Sequence, residues 1–402
     1  MKYVTLKKLW YKDRETYQEE LTLRKDGMYS TYFPIDIHNN PAFMVTLPTL
    51  LNDISLIYKD SKKLESKIRL LPAVAKDKYL ESCLFEEIML TNDIEGIRST
   101  RREVMAAYEQ LKSSRNKEKL LRFSGLINKY AKLASREYVA LNSSGDIRNL
   151  YDEIILPEID KKDIPDGNIF RSGPVDIVTP AQKVKHQGLN GEDTIIKAMN
   201  STLSILNDED IPSLIKIAAI HYFIGYIHPF YDGNGRLDRF ISSYLLSQEL
   251  SPMIAYRLSY IIKANQKKYY DAFDECNDIK NAGDITPFIL MFMDLVKQSL
   301  KHVLEVTENG IHQIDHYLKL LEKFDFSESQ RELVFYFIQS TLFTDDPFTL
   351  STLSALIKKS SLTTHRYLDT LIEKGIPIIK SKNGKKYEFT FDLDRFEALS
   401  LE

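Results

Sequence analysis

The segment His228-Pro229-Phe230-Tyr231-Asp232-Gly233-Asn234-Gly235-Arg236-Leu237-Asp238-Arg239 gathers more reactive chemistry than any other stretch of the chain. His228 is the nearby side chain able to take a proton near neutrality, imidazole having an ordinary pKa of ~6.5. Asp232 offers a hard carboxylate, the kind Mg²⁺ prefers when it shares itself with phosphate oxygens. Gly233 and Gly235 carry no Cβ, so an anion can approach their backbone closely, and Asn234 adds an amide donor. Arg236 and Arg239 are three residues apart and share a helix face. Two guanidinium groups beside backbone N–H donors suit a polyphosphate. A turn by itself needs neither the arginines nor the carboxylate. Phe230 reads as a core anchor that fixes the loop.

The flanking elements must position this loop. Leu214–Ile227 is apolar nearly all round, as a buried helix is. After the loop, Leu237, Phe240, Ile241, Tyr244 and Leu245 fall at i, i+3, i+4, i+7 and i+8, one apolar stripe. The loop therefore ends at a helix N-terminus, where unpaired N–H groups and the positive dipole end favour an anion. Other phosphate signatures are missing: there is no G-x-x-x-x-G-K-[ST], and Gly233–Asp238 lacks the third glycine of the dinucleotide fingerprint.

Elsewhere the pattern is mainly helical. Alternation around Tyr17–Leu23, a Lys25-Asp26-Gly27 turn and Met28–Phe33 predict a hairpin, followed by a helix over Thr46–Leu71. Tyr79–Ile94 predicts a helix closed by Gly96. Ile155–Gly191 is rich in Pro and Gly, with a strand-like run at Phe170–Val178. Helices are expected at Glu328–Ser340, Leu350–Lys358 and Thr363–Glu373. Ile376–Lys380 and Lys386–Phe391 then flank an Asn383-Gly384 turn. Three helices and a hairpin make a winged-helix pattern, with Thr363–Glu373 in the recognition position. The expected organisation is an N-terminal region 1–75 (hairpin, then helix), a catalytic domain 76–320 and a winged-helix domain 327–402.

Composition sets bounds on function. Of 402 residues, 43% are apolar and 28% charged, which excludes a disordered chain. Fifty-four Lys+Arg against 57 Asp+Glu leave a balance of −3, which excludes a dominant polycationic nucleic-acid binder. Two cysteines, Cys83 and Cys276, cannot form a disulfide framework and point to a reducing compartment. The N-terminus shows no signal-peptide pattern. The most apolar stretch, Leu214–Phe230, is interrupted by Lys216, His221 and His228 and is too short to span a bilayer. A cytoplasmic protein with no membrane partner is expected.

The segment 228–239 resembles the signature of the Fic family, H-x-F-x-[DE]-G-N-G-R-x-x-R, at every fixed position. Leu258-Ser259-Tyr260 with Tyr269-Tyr270, and Gly283-Asp284-Ile285-Thr286-Pro287-Phe288, are similar to family segments further on, so the likeness covers roughly Tyr79 to Val306. The resemblance implies a mainly α fold, a Fic-type helical core with a β-hairpin flap, carrying the winged helix behind it. It implies a protein adenylyltransferase that moves AMP from ATP to a Tyr, Ser or Thr hydroxyl of a target protein, self-modification included. His228 would be the catalytic base and Asp232 the Mg²⁺ ligand. Gly233, Asn234, Gly235, Arg236 and Arg239 would bind the nucleotide. Asp238, in a variable position, would set a negative charge beside Arg239. The flap, at 169–188, would dock an extended piece of the target through Phe170, Arg171, Val175 and Ile177. Thr91-Asn92-Asp93-Ile94-Glu95-Gly96 resembles the family's inhibitory helix signature, [ST]-x-x-x-E-[GN]. There the glutamate, here Glu95 at the end of helix 79–96, pairs with the second signature arginine, here Arg239. Glu86 and Glu87 read as solvated surface carboxylates. AMP removal, transfer of another phosphate-containing group, and a winged-helix regulator with a degenerate Fic domain stay open as alternatives. So do a homodimer and DNA as a partner, although the winged-helix region has a net charge of −1 where DNA-binding modules are usually basic.

Overall fold

The computed structural model describes residues 3–112, 121–178, 184–383 and 386–399. They are mainly helical, as expected. The chain begins with two helices, α1 (Leu6–Lys12) and α2 (Arg14–Lys25), and only then forms a hairpin, β1 (Ser30–Ile37) with β2 (Asn40–Val45). This corrects the hairpin expected over Tyr17–Phe33. Asp13 accepts the Glu15 N–H at 3.1 Å and caps α2, so Tyr17–Leu23 is drawn into a helix whose cap outweighs its weak alternation. The hairpin turns at His38-Asn39, both at positive φ, the conformation that two-residue β-turns require.

Then follow α3 (Pro48–Ile68), α4 (Ala73–Ile94), α5 (Arg101–Lys112), α6 (Ser124–Leu133) and α7 (Ser144–Ile154). Gly96, just beyond α4, has φ +74° and ends it as the sequence suggests. A short hairpin, β3 (Asp176–Val178) with β4 (Val184–Gln187), leads into α8 (Glu192–Ser204), α9 (Ser213–Ile227) and α10 (Asn234–Glu249). The remaining helices of this part are α11 (Pro252–Ala255), α12 (Leu258–Ala264), α13 (Gln266–Cys276) and the long α14 (Thr286–Leu321).

Two compact units can be recognised, one formed by Met1–Ser61 with Leu84–Lys301, the other by Lys62–Cys83 with His302–Glu402. In the first, α9 is buried along almost its whole length and packs against α8 and α10. Each large apolar side chain that α9 buries contributes about 1.5–3 kcal/mol. This helix fixes the place of its own C-terminus, where His228 stands. No helix among the described residues is long and apolar enough to cross a membrane.

The second unit contains α15 (Glu328–Thr341), β5 (Phe348–Thr349), α16 (Leu350–Leu356), α17 (Ser361–Glu373), β6 (Ile378–Asn383), β7 (Lys386–Phe391) and α18 (Leu393–Leu399). The strands form one antiparallel sheet in the order β5-β7-β6, with Ile378 opposite Phe391 and Asn383 opposite Lys386. Its core includes Leu333, Phe337, Leu368, Phe389 and Phe396. A Ser327–Gln330 capping box starts α15 and Ser360 caps α17, which explains why both helices lie where periodicity places them.

Candidate active site

The loop between α9 and α10 is shaped by its own polar groups. His228 ends α9 with φ 53°, and its N–H donates to Ile224 O at 2.9 Å. Gly233 has φ +81°, and a Cβ there would also collide with the Ile155 side chain, so only glycine fits. Asn234 is buried. Its Oδ1 accepts the Phe230 N–H at 2.9 Å and its Nδ2 donates to Phe230 O at 2.8 Å. This corrects the expectation of an amide donor facing an anion: the side-chain amide closes the loop on Phe230. Phe230 is fully buried, stacked on Tyr151 with centroids 3.6 Å apart and met edge-on by Phe170. The Tyr151 hydroxyl donates to Asp232 O at 3.1 Å.

Asn234→Ala would remove both bonds and strand the buried Phe230 N–H and C=O. Unsatisfied buried groups cost about 1–3 kcal/mol each. Calorimetry is expected to show a Tm several degrees lower, and an unchanged Tm would contradict the role given to this amide.

Both arginines are buried. Arg236 Nη1 lies 3.5 Å from Glu158 Oε2, and Nη2 3.9 Å from Asp232 Oδ2. Its Nε has no hydrogen-bond partner among the described residues, and a buried orphan donor on a guanidinium fits an anion that would satisfy it. Burial raises the Glu158 carboxyl, against the downward pull of Arg236. Arg239 Nη2 lies 2.8 Å from Glu95 Oε1; Nε donates to Thr91 Oγ1 at 2.8 Å and Nη2 to Thr91 O at 2.9 Å. A Cβ on Gly235 would collide with Glu95 Oε1. The Glu95 carboxylate therefore rests against the first turn of α10, where the helix end attracts negative charge.

Asp238 is buried within electrostatic reach of Arg239, as expected, but its burial favours the uncharged acid. Burial pushes its carboxyl well above the usual range, and Oδ1 lies 3.3 Å from His221 Nδ1. His221, lowered to about 3 by burial, holds Ser242 Oγ at 2.6 Å and the Tyr269 hydroxyl at 2.7 Å. Asp238 belongs to a buried network behind Arg239, a placement its spacing in the signature does not reveal.

Asp232 is 48% exposed, and its Oδ1 accepts the Gly233 N–H at 2.6 Å. Among the described residues no group of three or more His, Cys, Asp or Glu is arranged to hold a metal ion. A lone accessible carboxylate just before the N-terminus of α10 fits Mg²⁺ in the form it takes with phosphates, one protein oxygen with the rest from phosphate and water.

Two expectations for the flap are corrected. Phe170 and Arg171 lie outside the strands and are fully buried. Arg171 Nε donates to His228 O at 2.9 Å and Nη2 to Leu189 O at 2.7 Å, while its N–H donates to Pro229 O at 3.2 Å. They brace the backbone around His228 and cannot present themselves to a docking chain. The reason is that Phe170 finds Phe230 and the guanidinium finds carbonyls its donors can satisfy. Val175 is half-buried, and its carbonyl accepts the Gly188 N–H at 3.1 Å. Ile177 lies in β3 opposite His186, and residues 179–183 of the expected flap lie outside the described residues.

Glu86 and Glu87 also differ from expectation. Glu86 is paired with Arg257, and Glu87 is wholly buried. Tyr151, Glu158 and Glu87 carry no local sequence signal, because each acts on a residue far away in the chain.

A histidine at the end of α9, a glycine-flanked start of α10 and a short hairpin lie within the stretch that matches a known family. Residues 142–246 match the family model described as Fic/DOC family, so the chain carries a Fic/DOC domain there. Among solved structures, a Fic family protein from Desulfovibrio desulfuricans G20 aligns with a TM-score of 0.53 over 87% of this chain and 97% of that one. Identity is 18%, so the likeness is one of fold. Among curated proteins, "Protein adenylyltransferase Fic" of Aedes aegypti is 35% identical over 101 residues, 25% of this chain and 18% of that protein. The protein of the same name from Drosophila ananassae is 35% identical over 112 residues, 27% of this chain and 21% of that one. The chain thus matches about a fifth of the length of these relatives.

Proposed function

We propose that the chain is a protein adenylyltransferase that transfers AMP from ATP to a hydroxyl side chain of a target protein and is restrained in cis by Glu95. The observation that carries the reading is the Glu95 carboxylate seated on Arg239 and Gly235 at the start of α10. A carboxylate held there stands in for a phosphate, and it competes with the nucleotide for one guanidinium.

The backbone at Gly233, Asn234 and Gly235 receives the phosphates, with Arg236 and Arg239 neutralising their charge. His228 takes the proton of the incoming hydroxyl as its oxygen attacks the α-phosphorus; the bond to the bridging oxygen breaks and pyrophosphate leaves. Mg²⁺, held by Asp232 and the phosphates, would shield the charge on the α- and β-phosphates. Arg171, bonded to the carbonyl of His228, keeps the base's backbone in place. The β3–β4 hairpin offers main-chain donors and acceptors to an extended piece of the target. The second unit we read as a winged helix with α17 in the recognition position, a contact surface for protein or DNA. We place the protein in the cytoplasm.

The test uses Glu95→Gly with Mg²⁺ and ATP labelled at either the α- or the γ-phosphate. The α-label is expected on protein and the γ-label is not. Transfer of the γ-label would make the enzyme kinase-like and end this reading.

A further inference from the structure

Glu87 and Thr91 stand at i and i+4 on one face of α4, and Glu95, at i+8, lies one residue past its end. The last two meet Arg239. Glu87 lies one turn back and is fully buried. Its Oε2 accepts the Ser259 N–H at 2.9 Å, and its Oε1 accepts the Ser259 hydroxyl and, at 3.4 Å, that of Tyr130. The groups facing it are Tyr130 from α6, Arg239 from α10, and Arg257 and Ser259 at the start of α12.

A buried carboxylate is a poor way to gain stability, since an apolar side chain of similar size usually does as well or better. What it adds is position. The two bonds to Ser259 fix where this turn of α4 sits against α12, and that sets how far Thr91 and Glu95 reach toward Arg239.

We propose that Glu87 is a positioning residue of the restraint: it latches the end of α4 onto Ser259, so that loosening the latch frees Arg239 with Glu95 unchanged. The inference rests on the reading that Glu95 restrains the enzyme.

The latch responds to pH. Burial raises the Glu87 carboxyl to about 7, and its bonds to Ser259 together with Arg239 and Arg257 only partly offset this. Released from the interface, the group would return toward the ordinary ~4.3. A group raised in the docked state favours docking at low pH, and that preference is lost as pH rises from ~4.3 through about 7. The restraint therefore weakens toward alkaline pH.

The test compares the full chain with Glu87→Gln, each with and without Glu95→Gly. Transfer of the α-label is expressed at each pH relative to the matching Glu95→Gly chain, which cancels the titration of His228. Between about pH 6 and pH 8 this ratio is expected to rise up to about tenfold with Glu87 present, and to stay flat in Glu87→Gln, which keeps the shape and loses the charge. Hydrogen exchange at residues 84–97, read as wild type against Glu87→Gln at the same pH, needs no nucleotide. It should show wild type losing protection relative to the variant as pH rises. Parallel ratios and parallel protection in the two chains would overturn the latch. An inert Glu95→Gly with the protection difference intact would instead sink the adenylyltransferase reading and leave the latch standing.

Discussion

Replacing His228 by alanine in a chain already freed of Glu95 is expected to cut transfer of the α-label by about 10²–10⁴-fold, the usual contribution of a positioned general base. The imidazole ends a buried helix, on a backbone held at φ 53° and pinned through its carbonyl by Arg171. That strain is hard to justify for a residue that only packs. The phosphates are assigned to the backbone of 233–235 and to Arg236 and Arg239, so ATP affinity should stay within a few-fold of its value before the substitution. Measuring transfer rate and ATP affinity on the same two proteins checks both. A variant that keeps its rate, or loses ATP and rate together, would show that His228 does not act as the base.

Removing the Glu95 carboxylate is expected to raise transfer about 5–150-fold over the unmodified chain, the range of ordinary intramolecular coupling. Two features bound the effect. Arg239 is buried and held from two sides by Thr91, so it stays in position when Glu95 is gone. Glu95 is 28% exposed, so solvent screens its hold and the wild type retains some activity. The gain should appear at limiting ATP as tighter binding and at saturating ATP as faster turnover. Equal rates in Glu95→Gly and wild type would mean that the pair is only a surface contact.

How much of this was legible in the sequence follows from the range of each interaction. The loop could be read because its parts lie within a few residues of one another, and the helices on either side show their faces through periodicity. The short-range spacing of Thr91 and Glu95 gave a likeness to an inhibitory helix signature, but nothing local says that Arg239, 148 residues away from Thr91, will be bonded to it. Side chains that turn inward are the harder case. Asn234 looks like a donor for a ligand until its amide is seen closing on Phe230. Asp238 looks like an open charge until burial raises it. Glu87 looks solvated because carboxylates mostly are, and only the approach of Ser259 reveals otherwise. In the N-terminal region, alternation over seven residues was a weaker signal than one capping aspartate.

The central claim is that the first turn of α10 is a triphosphate site from which Glu95 is displaced. A crystal structure of Glu95→Gly with a non-hydrolysable ATP analogue and Mg²⁺ tests it most directly. The expected result is the γ-phosphate on Arg239 and the α-phosphate facing His228, with the Gly233–Gly235 backbone donating to the chain of phosphates. An analogue bound elsewhere, with Arg239 contacting protein groups alone, would contradict it.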